Sequence, residues 1–162
     1  MSSFNRRSFL MMPLALAACG FTPAYGPNGA AKNLPGTIRV ADPADKNAFE
    51  LVQRLEERLG PAQTDRYDLT YTISASAAGV GITPDNAITR YTLNGSIDWV
   101  LKDHASGARL TGGTVKSFTS WSATGSTVAG ITAEEAAYVR LMRLLADQIV
   151  TRLVATSAAW AK

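Results

Sequence analysis

The sequence contains one cysteine, Cys19, and one histidine, His104, among its 162 residues. One cysteine excludes an intramolecular disulfide, and one residue of each kind cannot supply the ligand set of a zinc site. Gly79-Val80-Gly81 lacks the further glycines of a dinucleotide-binding loop and the lysine of a phosphate-binding loop. No spacing of carboxylates suggests a catalytic pair. We therefore expect a protein that is not an enzyme and has no catalytic residue, metal site or cofactor.

Long hydrophobic runs are also missing. The longest apolar run, Phe9 to Ala18, would form a helix of about 15 Å, half of a bilayer core of about 30 Å. Because Arg6 and Arg7 precede this run and small residues follow it, residues 1–18 are predicted to be a cleaved signal peptide. No second run in the chain is long enough to span a membrane.

The end of the leader, Leu16-Ala17-Ala18-Cys19-Gly20, resembles a bacterial lipobox. The resemblance implies that Cys19 becomes the first mature residue and carries acyl chains, each methylene contributing about 0.8 kcal/mol to membrane binding. Gly20 in place of aspartate implies an anchor in the outer membrane, on its periplasmic side. The alternative is cleavage after Ala17 as in an ordinary signal, which would leave an unpaired thiol in an oxidising compartment.

The export route stays open. Asn5-Arg6-Arg7-Ser8-Phe9-Leu10 resembles a twin-arginine signal, which would carry an already folded domain across the inner membrane. A general secretory signal whose charged region holds two arginines is the alternative.

Excess charge of one sign is absent from the mature chain. The full sequence has 16 basic and 13 acidic residues, but Arg6 and Arg7 belong to the leader. The near-neutral remainder does not favour a nucleic-acid partner.

The mature chain reads as a tether followed by one domain. Residues 19–36 are rich in Gly, Pro and Ala and predict a flexible tether. Residues 37–155 predict the domain, which begins with a short strand at 37–40. Asp42-Pro43 and Gly60-Pro61 bound a helix, whose core stripe is predicted at Phe49, Val52, Leu55 and Leu59.

Three strands follow this helix. Tyr67 to Ser74 alternates apolar and polar residues, residues 79–86 are predicted to be a connection, and Arg90 to Lys102 alternates again. Residues 103–107, which include His104, predict a turn. The third strand is predicted from Arg109 to Trp121 with a bulge at Gly112-Gly113.

A long helix ends the chain. Residues 122–130 predict a loop, and Thr132 to Glu135 predicts a capping box that starts the helix. Its ridge is predicted at Ala137, Leu141, Leu145, Ile149 and Leu153, supported by Leu144. Residues 156–162 are predicted to be a frayed tail.

The element order β-α-β-β-β-α predicts an α+β fold. The apolar face of the sheet must be buried, and two helices that each have a single apolar stripe can pack against it. We therefore expect a four-stranded, mainly antiparallel sheet with both helices packed on one face and a polar opposite face.

Three segments together resemble the lipopolysaccharide-assembly lipoprotein family LptE, in its short form. They are Cys19 to Gly26, the hairpin from Tyr91-Thr92-Leu93 through Leu101-Lys102-Asp103 to Gly107, and the last helix with Ala133 to Ala136, Leu145 to Ile149 and Arg152-Leu153. Residues 118–130 depart from the family, which more often has a Tyr-Ala pair before the helix.

The resemblance implies a role without catalysis. A member of the LptE family plugs and helps assemble the large β-barrel LptD, beside the path of lipopolysaccharide to the cell surface. A lipid-binding or pilot lipoprotein of another outer-membrane machine is the alternative.

Direct lipopolysaccharide binding is a further hypothesis, since lipid phosphates are bound by Lys or Arg. The candidate contacts lie near strand ends or on polar strand positions: Arg90, Lys102, Arg109 and Lys116. The alternative is that these charges protect strands against edge-to-edge pairing.

Overall fold

A computed structural model of the chain describes residues 23–27, 29–123 and 126–161. The predictions for the leader, Arg6, Arg7 and the lipidated Cys19 lie outside these residues. The elements are β1 (Ile38–Val40), α1 (Lys46–Leu59), β2 (Tyr67–Ile82), β3 (Ile88–Asp103), β4 (Arg109–Ser122) and α2 (Thr127–Trp160). Among the helices so described, none has the length and apolar character needed to cross a membrane.

The predicted α+β fold is confirmed. The strands form one sheet in the order β1-β2-β3-β4, in which β1 pairs with β2 in parallel and the other pairs are antiparallel. Because β1, α1 and β2 form a parallel crossover unit and α2 returns after β4, both helices lie on one face of the sheet.

The alternation of side chains across the strands is also confirmed. The buried strand residues point toward the helices and form one core with them: Tyr67, Leu69, Leu93, Ile97, Trp99, Leu101, Val115 and Trp121. The intervening residues are mostly Ser, Thr, Asn and charged side chains, so the opposite face is polar as predicted.

The central hairpin is longer than predicted. β2 continues through the segment expected to be a connection and ends at Ile82, so only the turn around Thr83 and Asn86 joins it to β3. The register shifts on either side of Gly81, close to the end of β2. The predicted bulge at Gly112-Gly113 is wrong, because Gly112 and Gly113 pair regularly with Val100 and Trp99 and the shift lies next to them, at Leu110.

The first helix begins and packs differently from the prediction. Its N-cap is Asp45, whose carboxylate accepts a hydrogen bond from the Ala48 amide at 2.8 Å, and it ends at Gly60 with φ of 78°. Phe49 was predicted to belong to the core stripe but is 56% exposed. Leu51 is buried in the core instead. The buried side of the helix consists of Ala48, Leu51, Val52, Leu55 and Leu59.

The second helix is longer than predicted at both ends. Ser126 caps it six residues before the start of the predicted capping box, and the Ala129 amide donates to the Ser126 hydroxyl at 3.3 Å. Residues 156–160 continue the helix instead of fraying, because Trp160 is buried and its ring meets Tyr67 edge-on at 5.2 Å. Leu144 lies outside the core and is exposed.

The domain also reaches further toward the N-terminus than predicted. Ala31 and Leu34 are fully buried in the core, and the amide of Gly36 donates to the carbonyl oxygen of Leu59 at 2.8 Å. Part of the segment expected to be a tether therefore belongs to the folded domain.

Candidate functional site

The helices leave one face of the sheet uncovered, and its side chains are mostly polar. We call it the open face, and it consists of the outward side chains of β2, β3 and β4. Successive residues of a strand point to opposite faces, so every second residue contributes to it. Its central members are hydroxyl and amide side chains: Thr70, Thr72, Ser74, Ser76, Thr92, Asn94, Ser96, Thr114 and Ser120.

A shallow groove of about 480 Å³ crosses the middle of the open face. The strand register places Ser74, Ser96 and Lys116 in one row, and Ser76, Asn94 and Phe118 in the next. Small polar side chains floor the groove, while Phe118 is 69% exposed at its β4 side. The groove can donate and accept hydrogen bonds and offers one aromatic ring for packing.

The carboxylates of the open face already have partners. The Thr114 hydroxyl donates to Asp98. Asp68 lies 2.8 Å from His104 Nδ1 and 3.5 Å from Arg39 Nε. The turn residue His104 thus has a contact with the first strand of the hairpin pair, at Asp68 of β2.

The structure does not gather the four predicted phosphate contacts into one cluster. Lys102 and Arg109 are register partners at the lower end of the sheet, where β2 begins. Lys116 lies in the groove, and Arg90 lies near the hairpin tip opposite Ser122. Arg109 and Lys116 are seven residues apart on β4, and Arg90 is six residues from Ser96, the β3 partner of Lys116. Each of these separations corresponds to about 20 Å along a strand.

Nevertheless, these four cations remain available to a ligand. Within the described part of the chain, none of them forms an ion pair with a carboxylate. All four side chains are exposed. Only the pair Lys102 and Arg109 is close enough to bind a single phosphate group together.

The helix side of the molecule carries charges that pair with one another. Arg54 of α1 donates two hydrogen bonds, each of 3.1 Å, to the carboxylate of Asp147 on α2. These bonds raise the pKa of the Arg54 guanidinium, with a smaller contribution from Glu57. Lys46 binds Glu135 at 2.9 Å, which extends the line of ion pairs along the two helices.

Side chains of α2 cover the outer edge of β4. Arg152, Gln148 and Arg140 donate to the carbonyl oxygens of Thr114, Lys116 and Ser120 at 2.8, 3.2 and 3.3 Å. The position of Arg152 near the apolar ridge predicts a side chain that extends to solvent beside the C-terminal end of the helix, and contacts with β4 were not predicted. The spacing of four residues between Gln148 and Arg152, repeated back to Arg140, was the available signal.

The tip of the β2–β3 hairpin presents apolar side chains to solvent. Val80, Ile82 and Ile88 are exposed, and Ile82 is 64% exposed. Sequence reasoning missed this surface because it treated residues 79–86 as a connection. The alternation of Val80 and Ile82 with glycines was the signal for a strand.

The described residues contain no group of three or more metal-ligating side chains. What the geometry offers is a set of binding surfaces that includes a polar face and an apolar tip.

Comparison with solved structures shows a shared fold. A Caulobacter crescentus protein described as a lipoprotein is 20% identical with a TM-score of 0.67, over 82% of this chain and 98% of that one. The uncharacterised lipoprotein B of Nitrosomonas europaea is 15% identical with a TM-score of 0.61, over 86% of this chain and 94% of that one. The rare lipoprotein B of Shewanella oneidensis is 14% identical with a TM-score of 0.55, over 74% of this chain and 93% of that one.

None of the curated proteins compared by sequence matches this chain. The family model described as "LptE: Lipopolysaccharide-assembly" matches residues 36–153, which include all four strands, α1 and most of α2. This match extends well beyond the hairpin and helix segments that carried the resemblance in the sequence. The chain therefore belongs to the LptE lipopolysaccharide-assembly family.

Proposed function

We propose that this protein is an outer-membrane lipoprotein that plugs and helps assemble an LptD-type β-barrel for the delivery of lipopolysaccharide to the cell surface. The open face is the observation that carries the proposal. It is a broad polar surface on one side of a thin domain, while the charged residues of the helix side pair with one another. The role is one of binding and requires no catalytic residue.

A barrel lumen is wet and polar, and a plug must match it without burying unpaired charges. Most of the middle of the open face meets this condition because its hydroxyl and amide groups can bond to a polar wall directly or through water. Lys116 is the exception, a cation in the groove that the wall would have to pair or leave hydrated. Asp98 accepts a hydrogen bond from Thr114 and Asp68 Oδ2 lies 2.8 Å from His104 Nδ1. Among the described residues, the buried Asp68 Oδ1 accepts no hydrogen bond and lies 3.5 Å from Arg39 Nε.

The proposed anchor at Cys19 acts through concentration. Acyl chains would hold the domain at the membrane that contains the barrel, which raises the effective concentration of the plug. The described N-terminal residues reach the sheet at β1, beside the start of β2. The hairpin tip lies at the opposite end and is free to enter the lumen.

Lipopolysaccharide contact is the narrower part of the proposal. Because Lys102 and Arg109 lie side by side and lack carboxylate partners among the described residues, they are the preferred pair for a lipid phosphate. Lys116 and Arg90 would meet separate parts of the ligand.

The decisive experiment places a charge at the centre of the open face. Ser96→Arg should reduce the barrel that copurifies from solubilised outer membranes by about tenfold or more, because a buried unpaired charge costs several kcal/mol. Thr151→Arg is the matched control, since Thr151 is exposed on α2 away from the open face. Full recovery of the barrel with Ser96→Arg, or the absence of any barrel with the unchanged protein, contradicts the proposal.

A further inference from the structure

The outer edge of β2 has no neighbour over most of its length. Among the described residues, β1 is the strand on that side, and it pairs only with Tyr67, Asp68 and Leu69. Beyond Leu69, residues 70–82 pair with β3 on one side. No described strand pairs with their other side, where the Tyr71 hydroxyl donates to the Ala41 carbonyl oxygen at 3.3 Å.

The hydrogen-bonding groups on this edge can be assigned from the strand geometry. The carbonyl oxygen of Leu69 accepts from the Ala41 amide at 2.9 Å, so the backbone groups of Leu69 point away from β3. Both groups of a residue in an antiparallel ladder point to the same side, and the side alternates along the strand. The residues that present N–H and C=O groups to the open edge are therefore Tyr71, Ile73, Ala75, Ala77 and Gly79.

This edge lacks two of the features by which proteins protect edge strands. The register shift after Gly79 limits it at the tip, and Asp42 and Asp45 lie near Tyr71 at its other end. Residues 70–82 include no charged residue and no proline, and Ala75, Ala77 and Ala78 are small enough to let another backbone approach. The other edge of the same sheet is treated differently, since three side chains of α2 donate to the carbonyl oxygens of β4.

An exposed aromatic ring lies above the open edge. Lys46, Glu50 and Arg54 of α1 contact α2. Phe49 is one residue from Glu50, about 100° around the helix, on the flank away from α2. Because α2 lies over β4, this flank faces the side of the sheet where β2 has its open edge.

The contacts of Tyr71 show where α1 begins relative to this edge. Burial raises the pKa of the Tyr71 hydroxyl, with a contribution from the nearby carboxylates of Asp45 and Asp42. The amide of Phe49 donates to the carbonyl oxygen of Asp45 at 2.9 Å, so the first turn of α1, with Phe49, begins near Tyr71. Ala75 and Ala77 lie further along β2, point to the helix face and are exposed.

We propose that the β2 edge from Tyr71 to Gly79 binds an extended, uncharged segment of the barrel partner as a fifth strand of the sheet. The inference rests on the proposed function. The added strand would complete the ladder with its backbone, and its apolar side chains at alternate positions would cover the exposed side chains of Ala75 and Ala77. The register shift after Gly79 ends the usable edge.

A second copy of this chain fits the edge less well. Two β2 strands paired antiparallel about Ala75 would place the β1 ends, and with them the two tethers, at opposite ends of a joint sheet. Two domains anchored to one membrane surface cannot readily adopt that arrangement. A neutral segment of a different protein carries no such restriction.

Single-residue hydrogen exchange on the full-length lipoprotein, alone and copurified with its barrel, tests the inference. In the complex, the amides of Ile73, Ala75 and Ala77 should exchange slower by about tenfold or more. The amides of Ser74 and Ser76 should change little, because they already point toward β3. This period of two distinguishes strand addition from coverage of a whole face.

A pair of variants at one position provides the second measurement. Ala75→Pro removes an amide of the open edge without removing a β2–β3 hydrogen bond, whereas Ala75→Ser keeps the amide. We expect the proline variant to unfold cooperatively and to retain about a tenth or less of the barrel recovered with the serine variant.

Each remaining outcome overturns a defined statement. Recovery of the barrel with unchanged exchange at Ile73, Ala75 and Ala77 overturns the fifth strand and leaves the proposed function standing. The same alternating protection in the isolated protein, together with a doubled mass, replaces the partner segment by a second copy. Absence of any barrel overturns the proposed function and the inference together.

Discussion

At the scale of single residues, Gly95 shows how closely α2 approaches the sheet. It lies in the middle of the inner face of β3, between Leu93 and Ile97, where a side chain would be expected to fill the core. A methyl group at this position would come within 2.7 Å of Leu141 and 3.2 Å of Leu145. The helix therefore occupies the space that a side chain at residue 95 would need.

Gly95→Ala should destabilise the domain. Overpacking a buried site costs about 1–3 kcal/mol, and alanine regains about 0.5–1 kcal/mol over glycine in a strand interior. We expect a net loss of about 1–2 kcal/mol in the free energy of unfolding, measured by urea titration with tryptophan fluorescence.

Gly113→Ala is the matched control on the neighbouring strand. A methyl group there would meet only Arg152 Nη1 at 3.4 Å, and this atom belongs to a long, exposed side chain. Its free energy of unfolding should stay within about 0.5 kcal/mol of the unchanged protein or rise. Equal stability of the two variants would show that Leu141 and Leu145 can move aside.

At the scale of elements, α2 acts both as the cover of the core and as the guard of one sheet edge. Its apolar ridge packs on β3 and β4, while Arg140, Gln148 and Arg152 reach over the outside of β4. An unguarded edge strand can pair with another chain, so these contacts keep β4 from doing so.

Replacing Arg140, Gln148 and Arg152 together by alanine should open the β4 edge. Each exposed hydrogen bond contributes about 0.5–1.5 kcal/mol, so the domain should still fold. Sedimentation velocity over a concentration series should detect association beyond that of the unchanged chain. Arg143→Ala is the control, because Arg143 faces Glu50 of α1 and makes no hydrogen bond to β4. A triple variant that sediments like the control would contradict the guarding role.

The elements differ in how well the sequence predicts them. The alternation from Tyr91 to Leu101 predicts β3 and its two faces, since a strand buried on one side leaves a pattern of period two. The apolar stripe of a short helix constrains its rotation less tightly, and Phe49 is compatible with the core until packing favours Leu51. Local sequence patterns do not predict contacts between residues far apart in the chain. Trp160 was therefore predicted to lie in a frayed end, although its ring packs against Tyr67.

The candidate site was predictable in character and less so in detail. Alternation predicts a polar open face, because half of each strand is polar. It does not predict which cations lie together: register alone makes Lys102 and Arg109 neighbours and separates Arg90 and Lys116 from them. The open edge of β2 depends on the length of β1, and three residues of strand leave no clear signal of where pairing stops.

At the scale of the whole molecule, the chain has a long axis with unlike ends. β2 has 16 residues, which corresponds to about 50 Å from Tyr67 to the hairpin tip. The lower end receives the N-terminal segment and is closed by Trp160 and Tyr67. At the tip end, Ala75 and Ala77 are exposed on the inner face although it is the face that carries the helices, so the hairpin beyond them contributes little to the core.

This division predicts that the tip can be removed without unfolding the domain. Gly79 and Tyr91 are register partners whose backbone groups do not bond to each other. Replacing residues 81–89 by Asn-Gly therefore lets Val80 and Arg90 form the hydrogen-bonded pair that closes a two-residue hairpin turn. Tyr91 stays in place, and with it the stacking on Trp121 at 5.0 Å. The free energy of unfolding should change by less than about 1 kcal/mol, because the deleted side chains are mostly exposed.

The same shortened chain should fail in cells if the tip reaches into the barrel. Supplied as the sole copy, it should leave less lipopolysaccharide at the surface and make the cells sensitive to bile salts. A full-length chain with Val80→Ser, Ile82→Ser and Ile88→Ser separates reach from apolar contact: function retained by this variant assigns the role to the length of the hairpin, and function lost assigns it to the apolar side chains. Cells that resist bile salts with the shortened chain would show that the plug acts through its open face and edge alone.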